Sequence, residues 1–161
     1  MATQFTSYPY TFTATSSAAE YYHSDGFRIT IPANCFASST SITISAPVKK
    51  AFFLREASDT DKTAILCAGN YYKITKNSGV SPSLNFKVTV PFKTQFELDK
   101  NIAKFMVYYC TQATVEEDDP GNWYPTSGKT IPSSTNYQVA GNTMSFGYYM
   151  AAHKINGRDD Y

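Results

Sequence analysis

DGFRITIPANCFASSTSITIS, residues Asp25 to Ser45, is the stretch from which the fold can be read. Phe27, Ile29 and Ile31 alternate with Arg28 and Thr30, and Ile42 and Ile44 alternate with Ser and Thr, so each run has one apolar and one polar face. A period of two is that of a half-buried strand. Pro32 has no N–H to give to a ladder, so it ends the first strand and leads a turn through Ala33 and Asn34. The stretch reads as a hairpin of two short strands about a Pro-led turn, and much of the chain repeats that design.

Downstream, Leu84, Phe86, Val88 and Val90 alternate with Asn85, Lys87 and Thr89 up to Pro91, the cleanest strand in the sequence. Val48 to Arg55 and Phe105 to Cys110 are apolar on both faces, which predicts strands covered on both sides. Ala64 to Cys67 and Tyr71 to Thr75 read as two more strands, and Phe96, Leu98 and Ile102 suit one helical turn within Thr94 to Lys104. Tyr137 to Ala140 and Thr143 to Tyr148 are expected to form a hairpin about Gly141-Asn142, with Met144, Phe146 and Tyr148 on one face. About nine to eleven short strands at near-regular spacing indicate an all-β chain, a two-sheet antiparallel β-sandwich. Its core should hold Ile29, Ile31, Ile42, Ile44, Phe86, Val88, Val90, Val107 and Phe146.

A length of 161 residues suits one domain, here residues 25–161 behind an extended N-terminal arm, residues 1–24. In that arm Phe5, Tyr8, Tyr10 and Phe12 stand among Thr, Ser and Pro, an edge-strand pattern with Pro9 at its margin. These four residues are the expected interface, adding the arm to a sheet of another chain. Removal of residues 1–14 should then leave a folded monomer that no longer assembles. Lys plus Arg total 14 against 13 acidic residues with no basic cluster, so the footprint of a nucleic-acid binder is missing. Met1 to Gln4 begin no secretory signal, and no apolar run approaches the roughly 20 residues of a membrane helix, which implies synthesis in a cytoplasm without membrane insertion.

Residues with chemistry in them are few. Cys35, Cys67 and Cys110 are odd in number and widely spaced, as buried thiols are and as disulfide frames or zinc sites are not. His23 and His153 stand 130 positions apart with no nucleophile motif near either, so no catalytic residue is assigned. Glu116 to Asp119 could offer oxygen ligands to Ca²⁺ but lack the alternating spacing of a calcium loop, and read as a solvated acidic loop. Ser127-Gly128-Lys129-Thr130 lacks the earlier glycine of a phosphate loop and reads as a turn. No cofactor and no metal is expected.

Four motifs in order, I-x-I-P-A-x-x-F from Ile29, L-x-F-K-V-T-V-P-F from Leu84, F-x-V-Y-Y from Phe105 and G-N-W-Y-P from Gly121, together with the closing hairpin resemble the ZU5 domain family over residues 25–152. Asn34 departs from that family's Pro-Gly-Ala turn, and the first 24 residues lie outside the pattern. The resemblance implies a β-sandwich used for protein interaction without catalysis. Three functions follow as expectations. The first is a non-enzymatic structural subunit, such as a virion surface or filament protein, that contacts copies of itself or other subunits through the arm and Tyr-rich surfaces. The second is an intracellular ZU5-type adaptor. The third is a carbohydrate-binding sandwich with Trp123 and Tyr124 as a stacking platform.

Overall fold

Fifteen short strands, numbered in chain order, form two sheets in a computed structural model that describes residues 2–49, 53–56, 64–67, 70–77, 79–92, 105–113, 115, 122–129 and 138–155. The chain is all-β, a two-sheet sandwich. The first sheet runs β1 (Ala2–Gln4), β3 (Ala19–Tyr22), β4 (Arg28–Ile31), β10 (Phe86–Pro91), β14 (Gln138–Thr143), β13 (Ser127–Lys129). The second runs β11 (Met106–Cys110), β12 (Asn122–Pro125), β7 (Phe53–Glu56), β8 (Ala64–Cys67), β15 (Gly147–Ile155), β9 (Asn70–Lys76), β5 (Thr40–Ile44), β2 (Tyr10–Ala14), with β6 (Val48–Lys49) beside β9. Two of the pairings, β1 with β3 and β12 with β7, are parallel and the others antiparallel. The expected helical turn within residues 94–104 lies outside the described residues.

The main core lies between the sheets. Ile29 and Ile31 from β4, with Phe86, Val88 and Val90 from β10, meet Ile42 and Ile44 from β5, Ile74 from β9 and Val107 from β11. Each of these is essentially sealed from solvent, as the period of two requires, and Phe146 is only partly buried at the rim. A second core lies on the opposite face of β11 and β15. Tyr108, Cys110, Met150 and Ala152 turn toward Trp123, Tyr71 and Val115, while Val107, Tyr149 and Ala151 on the same two strands turn toward the first core. That division explains why Phe105 to Cys110 is apolar at every position.

The second core has its own enclosure. β15 is nine residues long, pairing with β9 at its start, with β11 through Ala152 and with β8 at its end. Since β8 pairs with β7, β7 with β12 and β12 with β11, the five pairings close on themselves at one end of the second sheet. A closed ring leaves no edge exposed there.

Several expectations are corrected. Asp25 to Ser45 is no hairpin, because β4 joins the first sheet and β5 the second, so the Pro-led segment arches between them. Asn34 in that arch has φ of 64°, the left-handed region that Asn tolerates better than most non-glycine residues. The closing pair is likewise no hairpin about Gly141-Asn142. Gly141 lies inside β14, where a Cβ would stand 1.9 Å from Thr126 Oγ1, and the chain turns between sheets at residues 144–146. Tyr149 pins that corner, its hydroxyl donating to the Ser145 carbonyl and lying 3.1 Å from Thr143 Oγ1. Met144 is consequently exposed while Tyr148 belongs to the second core. Ser127 to Lys129 is an edge strand with a register shift against β14 and not a turn.

The arm and its boundary at residue 24 are corrected as well. Residues 2–22 supply three strands of the sandwich itself: β1 and β3 in the first sheet and β2 in the second. Edge-strand character was legible and the edge is real, but it belongs to the chain's own sheets.

Candidate functional site

The four arm aromatics close the side of their own sandwich. Phe5 and Phe12 are 4% and 6% exposed, and Tyr8 and Tyr10 pack half-buried against the main core. Phe5 stacks on Tyr10 with centroids 4.4 Å apart, and Phe12 stacks on Tyr21 of β3 at 4.1 Å. Tyr8 stacks on His23 at 4.7 Å and meets Phe5 edge-on at 5.3 Å. The column fills the gap between β2 at the margin of one sheet and β3, the second strand in from the margin of the other, so the rings assigned to an external interface are spent internally. Such ring pairs contribute about 0.5–1.5 kcal/mol beyond burial.

What remains at this side is backbone and hydroxyls. Among the described strands β2 pairs only with β5, and β1 only with β3, so each presents an open outer margin. The first charged side chain of the chain is Glu20, so neither β1 nor β2 carries one. Edges of this kind are normally blunted by Lys, by Pro or by a bulge. Only Pro9, just before β2, serves that purpose here.

The outward side chains next to this margin form rows. Thr11 of β2 opposes Thr43 of β5, which opposes Thr75 of β9, and the Thr11 and Thr43 hydroxyls are bonded at 2.8 Å. Thr13 opposes Ser41, whose N–H donates to Asn77 Oδ1 at 3.1 Å. The first sheet's outer face differs, with Glu20 ion-paired to Arg28 at 3.0 Å and bonded by Thr30. The Arg28 guanidinium beside Glu20 holds that carboxyl below its ordinary value.

A polar cluster fixes the loop that launches β2. Asp25 Oδ2 accepts from Tyr8 and Tyr72 hydroxyls at 2.9 and 3.0 Å, and Oδ1 accepts the Phe27 N–H at 2.9 Å. The last bond is an Asx turn, which the Asp-Gly dipeptide advertises; the tyrosines come from 17 and 47 positions away and no local signal marks them. Burial first, and then Asp25, push both tyrosines well above their ordinary value. His23 Nδ1 accepts the Asp25 N–H at 3.0 Å, which places the imidazole proton on Nε2. Its 3.3 Å approach to Asp25 Oδ1 is therefore a contact between two acceptors and not an ion pair. With its oxygens taken by three donors, Asp25 is an anchor more than a base.

An open groove of about 220 Å³ lies where the hydroxyl face meets the second core, lined by Lys73, Thr75, Lys76, Thr111, Gln112 and Phe146. Lys73 donates to the Ala113 carbonyl at 2.9 Å and Lys76 to the Val80 carbonyl at 2.8 Å, over the rings of Tyr148 and Phe146 respectively. Both ammoniums brace neighbouring loops, and among the described lining residues there is no carboxylate to pair with them in acid–base work.

The remaining candidates separate clearly. Trp123 is fully buried in the second core, so the Trp123–Tyr124 stacking platform does not exist, although Tyr124 itself is exposed. Cys35 and Cys110 are buried; Cys35 donates to the Leu84 carbonyl at 3.2 Å, and burial pushes its thiol up. His153 lies on β15, with its side chain outside the described residues, as are Glu116 to Asp119. Among the described residues no three His, Cys, Asp or Glu gather as a metal site, and no helix is long and apolar enough to cross a membrane. The chain matches no model of a known protein family, and no curated protein is significantly similar to it.

Proposed function

We propose that the protein is a non-enzymatic structural subunit, of the kind that builds a virion surface or a filament, and that it assembles through its N-terminal margin. The observation that carries this reading is the edge of β2, unpaired among the described residues and without a charged side chain. A free edge offers a ladder of unpaired N–H and C=O groups, and a chain kept apart from others usually protects it with charge. Here protection is limited to one proline, while the aromatic column behind the edge holds it rigid, so little ordering entropy is lost on pairing. The contact is made by the backbone of β2 and the Thr hydroxyls beside it, not by the rings.

Placing Lys at Thr11 and Thr13 tests the reading. Both side chains are exposed, so T11K/T13K should fold as the parent does while acquiring the charge that edges normally carry. In sedimentation velocity over a concentration series, the parent should form species larger than a monomer and the variant should stay monomeric. A parent that is monomeric throughout, as a ZU5-type adaptor would be, overturns the proposal.

A further inference from the structure

We infer that the partner of the β2 edge is the same edge of a second copy, paired antiparallel about a two-fold axis that passes by Phe12. The inference rests on the assembly reading above and names its partner. In this pairing Phe12 opposes Phe12, Thr11 opposes Thr13 of the second copy and Tyr10 opposes Ala14, so all five residues of β2 are used and Pro9, which has no N–H to give, stays outside the ladder.

Three features fit a copy of this chain. Self-pairing brings like beside like, and any charged residue near the axis would face its own charge; neither β2 nor β5 beside it carries one. Side chains directly opposite in an antiparallel pair point to one face of the sheet, so Thr11 and Thr13 of both copies would share the outer face. The Thr11–Thr43 hydroxyl bond already made inside the chain shows the cross-strand contact that Thr11 and Thr13 would repeat. The hydroxyl rows would also join. Thr75, Thr43 and Thr11 of one copy would run on into Thr13, Ser41 and Asn77 of the other as one continuous line. A two-fold contact of this kind is isologous and closes on itself, giving a dimer on which further contacts could build. One strand pair is a small interface, so the dimer should be strongly concentration-dependent.

Cysteine pairing reads the register. Residues directly opposite have Cβ atoms about 4.5–5.5 Å apart, close enough for a disulfide after slight adjustment. T11C and T13C are prepared separately, and each alone and an equal mixture are oxidised at high protein concentration, with the parent chain as the blank for cross-links through Cys35, Cys67 and Cys110. The mixture should yield several-fold more covalent dimer than either variant alone. Cross-linking of T11C alone or T13C alone at the level of the mixture overturns the Phe12-centred register. Assembly of the parent without enrichment in the mixture overturns edge self-pairing while leaving the assembly reading in place. A monomeric parent with no enrichment overturns both.

Discussion

Asp25 is the residue on which the N-terminal third turns, since it ties Tyr8 from the loop before β2 to Tyr72 of β9. Hydrogen bonds to a charged acceptor contribute about 1.5–3 kcal/mol each, so Tyr72→Phe should lower stability by roughly that amount at neutral pH, measured by denaturant unfolding. Burial, and then Asp25, set an alkaline limit as well. Folded Tyr72 and Tyr8 keep their protons above the pH near 10 at which tyrosines of the unfolded chain release theirs. Below that pH both states hold the protons and stability has no slope from this source. Above it the unfolded state binds fewer protons, so stability falls as pH rises. Tyr72→Phe should make that fall shallower while the neutral-pH value is lower, and an unchanged alkaline slope would remove Tyr72 from the account. Of this cluster only the Asx turn at Asp25-Gly26 was legible, because turn chemistry is local, whereas a hydroxyl reaching a carboxylate across 47 positions leaves no periodic trace.

At the scale of elements, alternation told which face of each strand is buried but not which sheet receives it. Phe27 to Ile31 and Ile42 to Ile44 show the same pattern whether they pair with each other or face each other across a core, and here they face. A turn with Pro at its head serves an arch as well as a hairpin. The both-face apolarity of Phe105 to Cys110 was more informative, since two cores are the reason for it. Gly147 marks where β15 begins against β11, with φ of 148° and a Cβ position 2.2 Å from the Cys110 carbonyl oxygen. Neither the backbone conformation nor the neighbouring main chain can yield to a side chain there. Gly147→Ala should therefore cost about 3 kcal/mol or more, read as a drop in the denaturant midpoint, whereas Gly79→Ala, which meets nothing within 4 Å, should be nearly neutral.

For the whole molecule, the N-terminal segment is what closes the sandwich. Strand alternation correctly pointed to an all-β chain, yet it could not tell whether Phe5, Tyr8, Tyr10 and Phe12 seal this molecule or bind another, because a buried interface and a buried core select the same residues. Geometry gives the rings to the core and leaves the outer edge of β2 unpaired among the described residues. Deleting residues 1–14 should accordingly unfold the chain and not merely stop assembly, contrary to what an arm would do. The deletion removes β1 and β2, takes Phe5 and Phe12 out of the main core, exposes the partner margins of β3 and β5, and frees Tyr21 from its stack. Loss of one buried Phe costs about 3–5 kcal/mol, and two together with their strands approach the whole stability of a domain of this size, about 5–15 kcal/mol. Circular dichroism of the deleted chain should lose its cooperative melt, while T11K/T13K, which touches the edge but not the core, should keep it. A truncated protein that melts cooperatively near the parent's midpoint would return the first 14 residues to the status of an arm.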